Sequence, residues 1–508
     1  MAEALSEDKA VVVIGAGTMG SGIAEVAASA GHMVFLRDAN DAALERGLAM
    51  IRRNLDKRVE RKKLDAAERD AIVARIHPVT SYADLRDVGL VIEVIVENIE
   101  AKVSALAELE AQLGADTIVA TNTSSLSVTA LAGRLARPER VVGMHFFNPA
   151  TVLPLVEVVA GHATDPEVVQ TIVETARAWG KVPVACRSTP GFIVNRVARP
   201  FYGEALRLLQ EQAATPATLD AVMRESGGFK MGPCELTDLI GHDVNFAVTR
   251  SVYEAFFDDP RYKPSLIQKD LVDAGWLGRK SGRGFFDYRD GASNALAADA
   301  PPGELPISVE IEGDLGPASA LVPLIEASVR KTVKTTEGAG ILRVDGFALA
   351  LTDGRTATER SVALGVPVVL FDLALDFAGC ARIALAPAAQ ASHEHVAKAI
   401  GLFGALGKKV SVLADAPGLV VMRTVAMLVN EAADAVHQGI ASADDVDAAM
   451  QKGVNYPLGP LAWGRRIGFE RVTLALHHLA QTYGEDRYRT SLWLQREVLS
   501  ARPLAATH

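Results

Sequence analysis

Val11-Val12-Val13-Ile14-Gly15-Ala16-Gly17-Thr18-Met19-Gly20 is the stretch that decides the fold of the N-terminal part of the chain. The β-branched run reads as a buried strand. G-x-G-x-x-G follows it directly at Gly15, Gly17 and Gly20, with Thr18 and Met19 between, and opens a helix running through Ser21 to Ala30. In that strand-turn-helix setting the first glycine permits the tight turn and the second lets backbone approach a pyrophosphate. The third allows close helix-strand packing, and the helix N-terminus faces the phosphates.

Further apolar runs at Met33-Val34-Phe35-Leu36, Leu90-Val91-Ile92, Thr117-Ile118-Val119-Ala120 and Val141-Val142-Gly143-Met144 alternate with amphipathic stretches. Residues 1–187 therefore read as a Rossmann-type, doubly wound, mostly parallel α/β domain for a dinucleotide. Asp38 ends the second strand where an acidic side chain accepts the adenosine ribose hydroxyls and repels a 2′-phosphate, which favours NAD over NADP. Capping the next helix is the alternative duty for Asp38, and Arg37 beside it leaves room for a phosphate.

After Pro190-Gly191 the texture turns helical, giving an all-α domain over 188–290. Residues 291–306, with Ala-Ala-Asp-Ala-Pro-Pro-Gly-Glu, read as a linker. Residues 307–412 return to short apolar runs without a glycine-rich loop, the mark of a small degenerate α/β domain. Sliding the chain on itself at an offset of 227 aligns Pro190-Gly191-Phe192-Ile193-Val194-Asn195-Arg196 with Pro417-Gly418-Leu419-Val420-Val421-Met422-Arg423. The same register pairs Glu204 with Glu431, Asp220 with Asp447 and Gly232-Pro233 with Gly459-Pro460, so residues 413–508 repeat the helical domain. Packing of the two copies as an intramolecular pseudo-dimer is the expectation, and association into a homo-oligomer stays open.

At 508 residues the chain exceeds one hydrophobic core. A net charge of −10 and a pI near 5.7 argue against nucleic acid as partner. Three cysteines without metal-ligand spacing indicate neither a disulfide framework nor a metal site, which suits a reducing cytoplasm. Mean hydropathy is +0.17, yet charges such as Glu93, Asp372 and Asp376 interrupt the apolar runs, so neither a membrane span nor a signal peptide is expected.

Chemistry concentrates in a predicted hairpin. His145-Phe146-Phe147-Asn148-Pro149 ends one strand, Leu155-Val156-Glu157-Val158-Val159 forms the next, and symmetry about Thr151 sets His145 opposite Glu157. Opposed residues on antiparallel strands lie about 5 Å apart at Cβ, within reach of an imidazole-carboxylate hydrogen bond. A carboxylate that fixes the tautomer and stabilises the imidazolium makes His145 a candidate general base; a satisfied core histidine is the bland alternative.

The glycine loop, Asn122-Thr123-Ser124-Ser125-Leu126, His145-Phe146-Phe147-Asn148-Pro149 and Pro190-Gly191-Phe192-Ile193-Val194-Asn195-Arg196 together resemble the L-3-hydroxyacyl-CoA dehydrogenase family. The resemblance covers residues 9 to about 288, and the C-terminal repeat is similar to the duplicated helical domain of longer bacterial members. It implies an oxidoreductase in which His145 removes the 3-hydroxyl proton while hydride passes to NAD, with Glu157 holding the imidazole. It further implies that Ser124 bonds the reacting oxygen and that Asn195 positions the substrate. Taken alone, Ser124 reads equally as a helix N-cap and Asn195 as a buried interdomain amide. Glu97, Lys102, Asn122 and Asn148 fall near the nicotinamide end by the same resemblance.

The basic run 52–63 lies where the family meets CoA, which implies Asn54 and Arg61 as CoA contacts, against a solvated helix face as the plain alternative. Met422 stands where the first copy has Asn195, so no second active site is expected. Among long members the chain most resembles those acting on 3-hydroxyadipyl-CoA in phenylacetate catabolism. The nearest alternative is 3-hydroxybutyryl-CoA of fatty-acid β-oxidation and butanoate metabolism. A dicarboxylic acyl chain calls for a cationic or amide-lined end to its pocket, and the sequence assigns no residue to it. A free-acid dehydrogenase and a nonenzymatic NAD-binding redox sensor are the distant alternatives.

Overall fold

A computed structural model describes residues 3–501. The chain forms two compact units, Met1–Arg196 with Gln438–Val454, and Val197–His437 with Asn455–His508.

In the first unit, β1 (Ala10–Ile14), β2 (Val34–Arg37), β3 (Ile76–Pro78), β4 (Val88–Glu93), β5 (Ile118–Thr121), β6 (Val141–Phe146), β7 (Leu155–Ala160) and β8 (Val182–Arg187) build one sheet. Its order is β3-β2-β1-β4-β5-β6-β7-β8. Every pairing is parallel except the β6–β7 hairpin. All five residues of β1 are buried, as a parallel strand covered on both faces requires. β3 and β8 extend the sheet beyond the runs that patterning marks. β3 is three residues long and β8 carries Pro183, which suits its place at an edge.

In the second unit, β9 (Ser308–Glu312), β10 (Lys331–Thr335), β11 (Ile341–Val344), β12 (Phe347–Leu351), β13 (Val368–Phe371), β14 (Arg382–Pro387) and β15 (Lys409–Val412) form a mixed sheet ordered β10-β9-β11-β12-β13-β14-β15. The edge strand β10 keeps exposed lysines, which disfavour pairing with another chain. Residues 291–306 carry no regular structure; Ala300 N–H donates to Val410 O on β15 and Glu304 N–H to Ala397 O on the helix His393–Ala405.

The repeat extends further back than the sequence match that begins at Pro190. Moving β7 by 227 residues gives the bounds of β14, and moving the helix Pro166–Ala178 by 227 gives the helix His393–Ala405. Both halves keep the same hairpin register and the same parallel pairing onto the final strand. β13 to β15 are therefore the counterpart of β6 to β8.

Equivalent helices of the two repeats serve different sheets. Pro216–Glu225 packs on β14 in the second unit, and Ser226 Oγ donates to Arg382 O at 2.7 Å. Its counterpart Ala443–Gly453 packs on β7 and β8 in the first unit, where Arg187 N–H donates to Ile440 O. Residues 438–454, expected from the sequence inside a block over 413–508, thus group with the N-terminal sheet.

Inside the second unit the helices Arg199–Gln210 and Val421–His437 pack on each other and carry a reciprocal clamp. Glu204 accepts from Arg487 at 3.2 Å and from Tyr488 OH at 2.9 Å. Glu431, its repeat partner, accepts from Arg261 at 3.2 Å and from Tyr262 OH at 2.6 Å. Burial pushes the Glu204 carboxyl up, but Arg423 and Arg487 more than offset it and hold its pKa below the ordinary value.

Candidate active site

β1 and β4 are neighbours although β2 and β3 intervene in the chain, so the strand order reverses between them. Crevices beyond the carboxyl ends of strands at such a switch point are where open α/β sheets bind ligands. The glycine loop sits there and leads into the helix Thr18–Ser29. Gly15 has φ +107°, and a Cβ on it would lie 2.6 Å from Val94 O. A Cβ on Gly20 would lie 1.8 Å from Gly15 O, whereas Gly17 has open space in front of it, a cradle for a phosphate that a side chain would fill.

Asp38 braces this loop. Its Oδ2 accepts from Ala16 N–H at 2.8 Å and its Oδ1 from Asn40 N–H at 3.0 Å. The next helix, Asp41–Glu60, is capped by Asn40, so capping does not fall to Asp38. Arg37 stacks on Tyr82, with 3.7 Å from guanidinium carbon to ring centroid. The donors and their geometry fit a dinucleotide held by backbone N–H groups at its phosphates and by a carboxylate at its ribose.

At the C-terminal end of β4, Glu93 is fully buried and accepts from Lys102 Nζ at 2.7 Å, Thr121 Oγ1 at 2.7 Å and Ile95 N–H at 2.6 Å. Lys102, 1% exposed, also approaches Glu97 at 3.3 Å. Glu97 gathers Thr123 Oγ1, Ser125 Oγ and the Ser124 and Ser125 N–H groups. Burial pushes the Glu97 carboxyl up; these hydrogen bonds and Lys102 outweigh burial and keep its pKa below the usual glutamate value.

In the hairpin His145 pairs with Glu157 in register, and His145 Nδ1 lies 2.7 Å from Glu157 Oε2. The other carboxylate oxygen, Oε1, accepts from Ile193 N–H at 3.0 Å and Val194 N–H at 2.9 Å. Glu157 thus joins the imidazole to the first turn of the segment that carries Asn195. Phe147 and Phe192 flank the imidazole at 4.5 and 5.8 Å between centroids. Since Nδ1 faces the carboxylate, Nε2 is the nitrogen left for a substrate.

A cavity of about 390 Å³ within the first unit is lined by Met19, Val94, Ile95, Glu97, Lys102, Asn122, Ser124, His145, Phe146, Phe147, Asn148 and Asn195. Eight of the residues singled out from the sequence share that wall, and Glu157 stands behind it. Asn122 Oδ1 accepts from Phe146 N–H at 2.8 Å, tying β6 to the end of β5. The N-cap of the helix Val128–Ala132 is Ser127, and Thr123 Oγ1 takes the Leu126 N–H, so Ser124 caps neither.

Asn54 and Arg61 do not line this cavity. Asn54 Nδ2 lies 3.4 Å from Glu25 Oε2, and Arg61 is exposed where the helix Asp41–Glu60 ends. Arg58 reaches the same buried Glu25 at 3.6 Å, so part of the basic run serves that carboxylate. Sequence patterning treats Glu93 only as a charge interrupting an apolar run. An acid closing a strand nine residues before a lysine on the following helix is the signal that marks its pairing with Lys102.

In the second sheet Asp372 takes the place of His145 and Ala384 that of Glu157, by the offset and register described above. Asp372 accepts from the Val420, Val421 and Met422 N–H groups at 2.7–3.0 Å. It does at the start of the second repeat what Glu157 does at the start of the first. Complete burial raises its pKa to about 6 in spite of those bonds. Among the described residues, no helix is long and apolar enough to cross a membrane.

Residues 10–189 match the NAD binding domain of 3-hydroxyacyl-CoA dehydrogenase, and residues 191–288 and 418–507 each match its C-terminal domain. Residues 349–417 match the reduced Rossmann-fold domain of 3-hydroxybutyryl-CoA dehydrogenase. The chain is 46% identical to a 3-hydroxyadipyl-CoA dehydrogenase of Escherichia coli (strain K12), over 97% of this chain and 98% of the relative. It is 40% identical to a 3-hydroxybutyryl-CoA dehydrogenase of Clostridioides difficile, over 55% of this chain and 99% of the relative. The crystal structure of a 3-hydroxybutyryl-CoA dehydrogenase from Escherichia coli K12 substr. MG1655 superimposes with a TM-score of 0.90 at 44% identity, covering 97% of this chain and 99% of that one.

Proposed function

Because the chain belongs to the 3-hydroxyacyl-CoA dehydrogenase family, we propose that it is the NAD-dependent dehydrogenase of 3-hydroxyadipyl-CoA, working in phenylacetate catabolism in the cytoplasm. The observation that carries the chemistry is the 2.7 Å contact of His145 Nδ1 with Glu157, on the wall of a cavity shared with Ser124 and Asn195. The substrate reading is supported by the name of the Escherichia coli relative aligned along almost the whole chain. 3-Hydroxybutyryl-CoA is the second reading, favoured by the name attached to the superimposable structure.

His145 Nε2 takes the proton of the 3-hydroxyl as the carbon-bound hydrogen leaves as hydride, and the imidazolium so formed is stabilised by Glu157. NAD supplies the hydride acceptor when bound. Ser124 hydrogen-bonds the reacting oxygen, a gain that grows as charge develops on it, and Asn195 positions the substrate near His145. Gly15, Gly17, Thr18, Met19 and Gly20 receive the pyrophosphate, and Asp38 the ribose. Glu97, Lys102, Asn122 and Asn148 frame the nicotinamide end. Asn54 and Arg61 are assigned to CoA on family likeness alone. The reciprocal clamps on Glu204 and Glu431 support an intramolecular pseudo-dimer of the helical repeats, since exchange of equivalent contacts is the signature of a two-fold interface.

NAD reduction followed by absorbance with L-3-hydroxybutyryl-CoA, 3-hydroxyadipyl-CoA and free 3-hydroxyacids tests the proposal. A higher kcat/KM for the adipyl thioester is expected. Preference for butyryl selects the second reading, and silence with every thioester refutes both.

A further inference from the structure

We propose that Glu93, Lys102 and Glu97 form a fixed charge that sets how strongly the site binds oxidised relative to reduced NAD. Glu93 is the positioning residue of the three: it holds the Lys102 ammonium in the interior, so that Glu97 keeps a net negative charge on the cavity wall. The inference rests on the reading above that Glu97 and Lys102 frame the nicotinamide end, and it gives a duty to a residue that does not line the cavity itself.

Lys102 Nζ donates to both oxygens of Glu93, at 2.7 and 3.0 Å, and to Ile95 O at 3.4 Å, whereas it meets Glu97 through one oxygen at 3.3 Å. The side chains of Glu93 and Lys102 are 0% and 2% exposed, and that of Glu97 is 35% exposed. Two carboxylates against one ammonium leave one negative charge. Because the ammonium is bonded twice to Glu93 and buried with it, that charge falls on Glu97, the carboxylate that faces the cavity. The other donors to Glu97, from Thr123, Ser124 and Ser125, are hydroxyls and N–H groups, which hold a carboxylate without neutralising it. They and Lys102 keep it ionised, in line with its lowered pKa. His145, the other titratable group on the wall, has its own carboxylate in Glu157.

The nicotinamide ring is a cation in the oxidised cofactor and neutral in the reduced one, and the rest of the cofactor carries the same charge in both. A fixed anion on the wall that meets the ring therefore stabilises the oxidised form and leaves the reduced form almost untouched. In a partly buried site the attraction is stronger than in water and less screened by salt. Without Glu93 the nearest carboxylate to Lys102 is Glu97, and the pair would present a neutral wall. Glu93 thus acts on the cofactor through Lys102, by deciding which of two carboxylates the ammonium neutralises.

The test is calorimetric titration of the full-length protein with NAD⁺, NADH and ADP-ribose, which lacks the nicotinamide. Glu97→Gln raises the ratio of Kd for NAD⁺ to Kd for NADH about tenfold, the low end of what one close charge does to another ionised group, and leaves ADP-ribose binding near wild type. Glu93→Gln moves the ratio in the same direction, because Lys102 then pairs with Glu97. The double variant Glu93→Gln/Lys102→Met returns the ratio to wild type, since it removes the buried pair and leaves Glu97 charged. A merely structural role for Glu93 predicts instead a deeper loss in the double variant, shared equally by both forms of the cofactor. Equal weakening of NAD⁺ and NADH in Glu97→Gln overturns the inference and keeps the reading that these residues frame the nicotinamide end. Unchanged affinity for both forms overturns that reading and the inference together. If Glu93→Gln does not fold, the ratio in Glu97→Gln decides by itself.

Discussion

Two hairpins of the same ancestry and register sit in one chain, β6–β7 with His145 facing Glu157, and β13–β14 with Asp372 in line with Ala384. In the first, the carboxylate on the second strand holds both the imidazole and the N–H groups at the start of a helical repeat. In the second, a carboxylate at the histidine position holds the N–H groups alone. The structural duty survives in both copies and the proton-transfer duty in one. The contrast separates what the fold needs, an acceptor for the backbone donors, from what the chemistry needs, an oriented base.

The largest effect is expected at the base. His145→Gln should lower kcat by about 10³-fold while leaving the affinity for NADH near wild type, the order of loss for a general base. Asp372→Asn, the matched change in the other hairpin, should leave kcat within about twofold of wild type; a comparable loss in both would break the comparison.

The reciprocal clamps predict equal effects in the two repeats. Glu204→Gln and Glu431→Gln should each destabilise the chain by about 3 kcal/mol in denaturant unfolding, since each strands buried cationic and hydroxyl donors. A large loss for one and none for the other would remove the support for a two-fold relation.

Asp372 adds a pH dependence. The unfolded carboxyl ionises near 3.8 and the folded one near 6, so between those values the folded state keeps the proton that the unfolded state has released. Stability then falls as pH rises through that window, by about 2–3 kcal/mol, and is level above it. Asp220, also raised to about 6 by burial, contributes in the same direction. Asp372→Ala should flatten its share of the slope in unfolding measured from pH 4 to 7, and an unchanged slope would contradict the assignment.

A smaller effect is expected at the cofactor ribose. Asp38→Ser should narrow the preference for NAD over NADP by about tenfold in kcat/KM, since the carboxylate both braces Ala16 N–H and repels a 2′-phosphate.

Much of the first unit was legible in the sequence because its signals are local. The glycine loop, the strand runs and the hairpin symmetry each sit within a few residues of one another, and the structure joins His145 to Glu157 as that symmetry predicts. Glu93 and Asp372 were legible only as charges breaking apolar runs. Their partners lie on other elements, Lys102 and Thr121 for one, the Val420–Met422 backbone for the other, and linear order does not reveal those meetings. The grouping of residues 438–454 with the first sheet was hidden for the same reason, since periodicity marks the helix Ala443–Gly453 without saying which strands it covers. The repeat before Pro190 is not legible in the sequence because strand equivalence is kept in register rather than in residue identity.

The contrast between the two hairpins implies that one chain holds one working site. Calorimetric titration of NADH into the purified protein tests it most directly. One equivalent per chain, with oxidation of the thioester lost in His145→Gln, is the predicted result, and two equivalents per chain would contradict it.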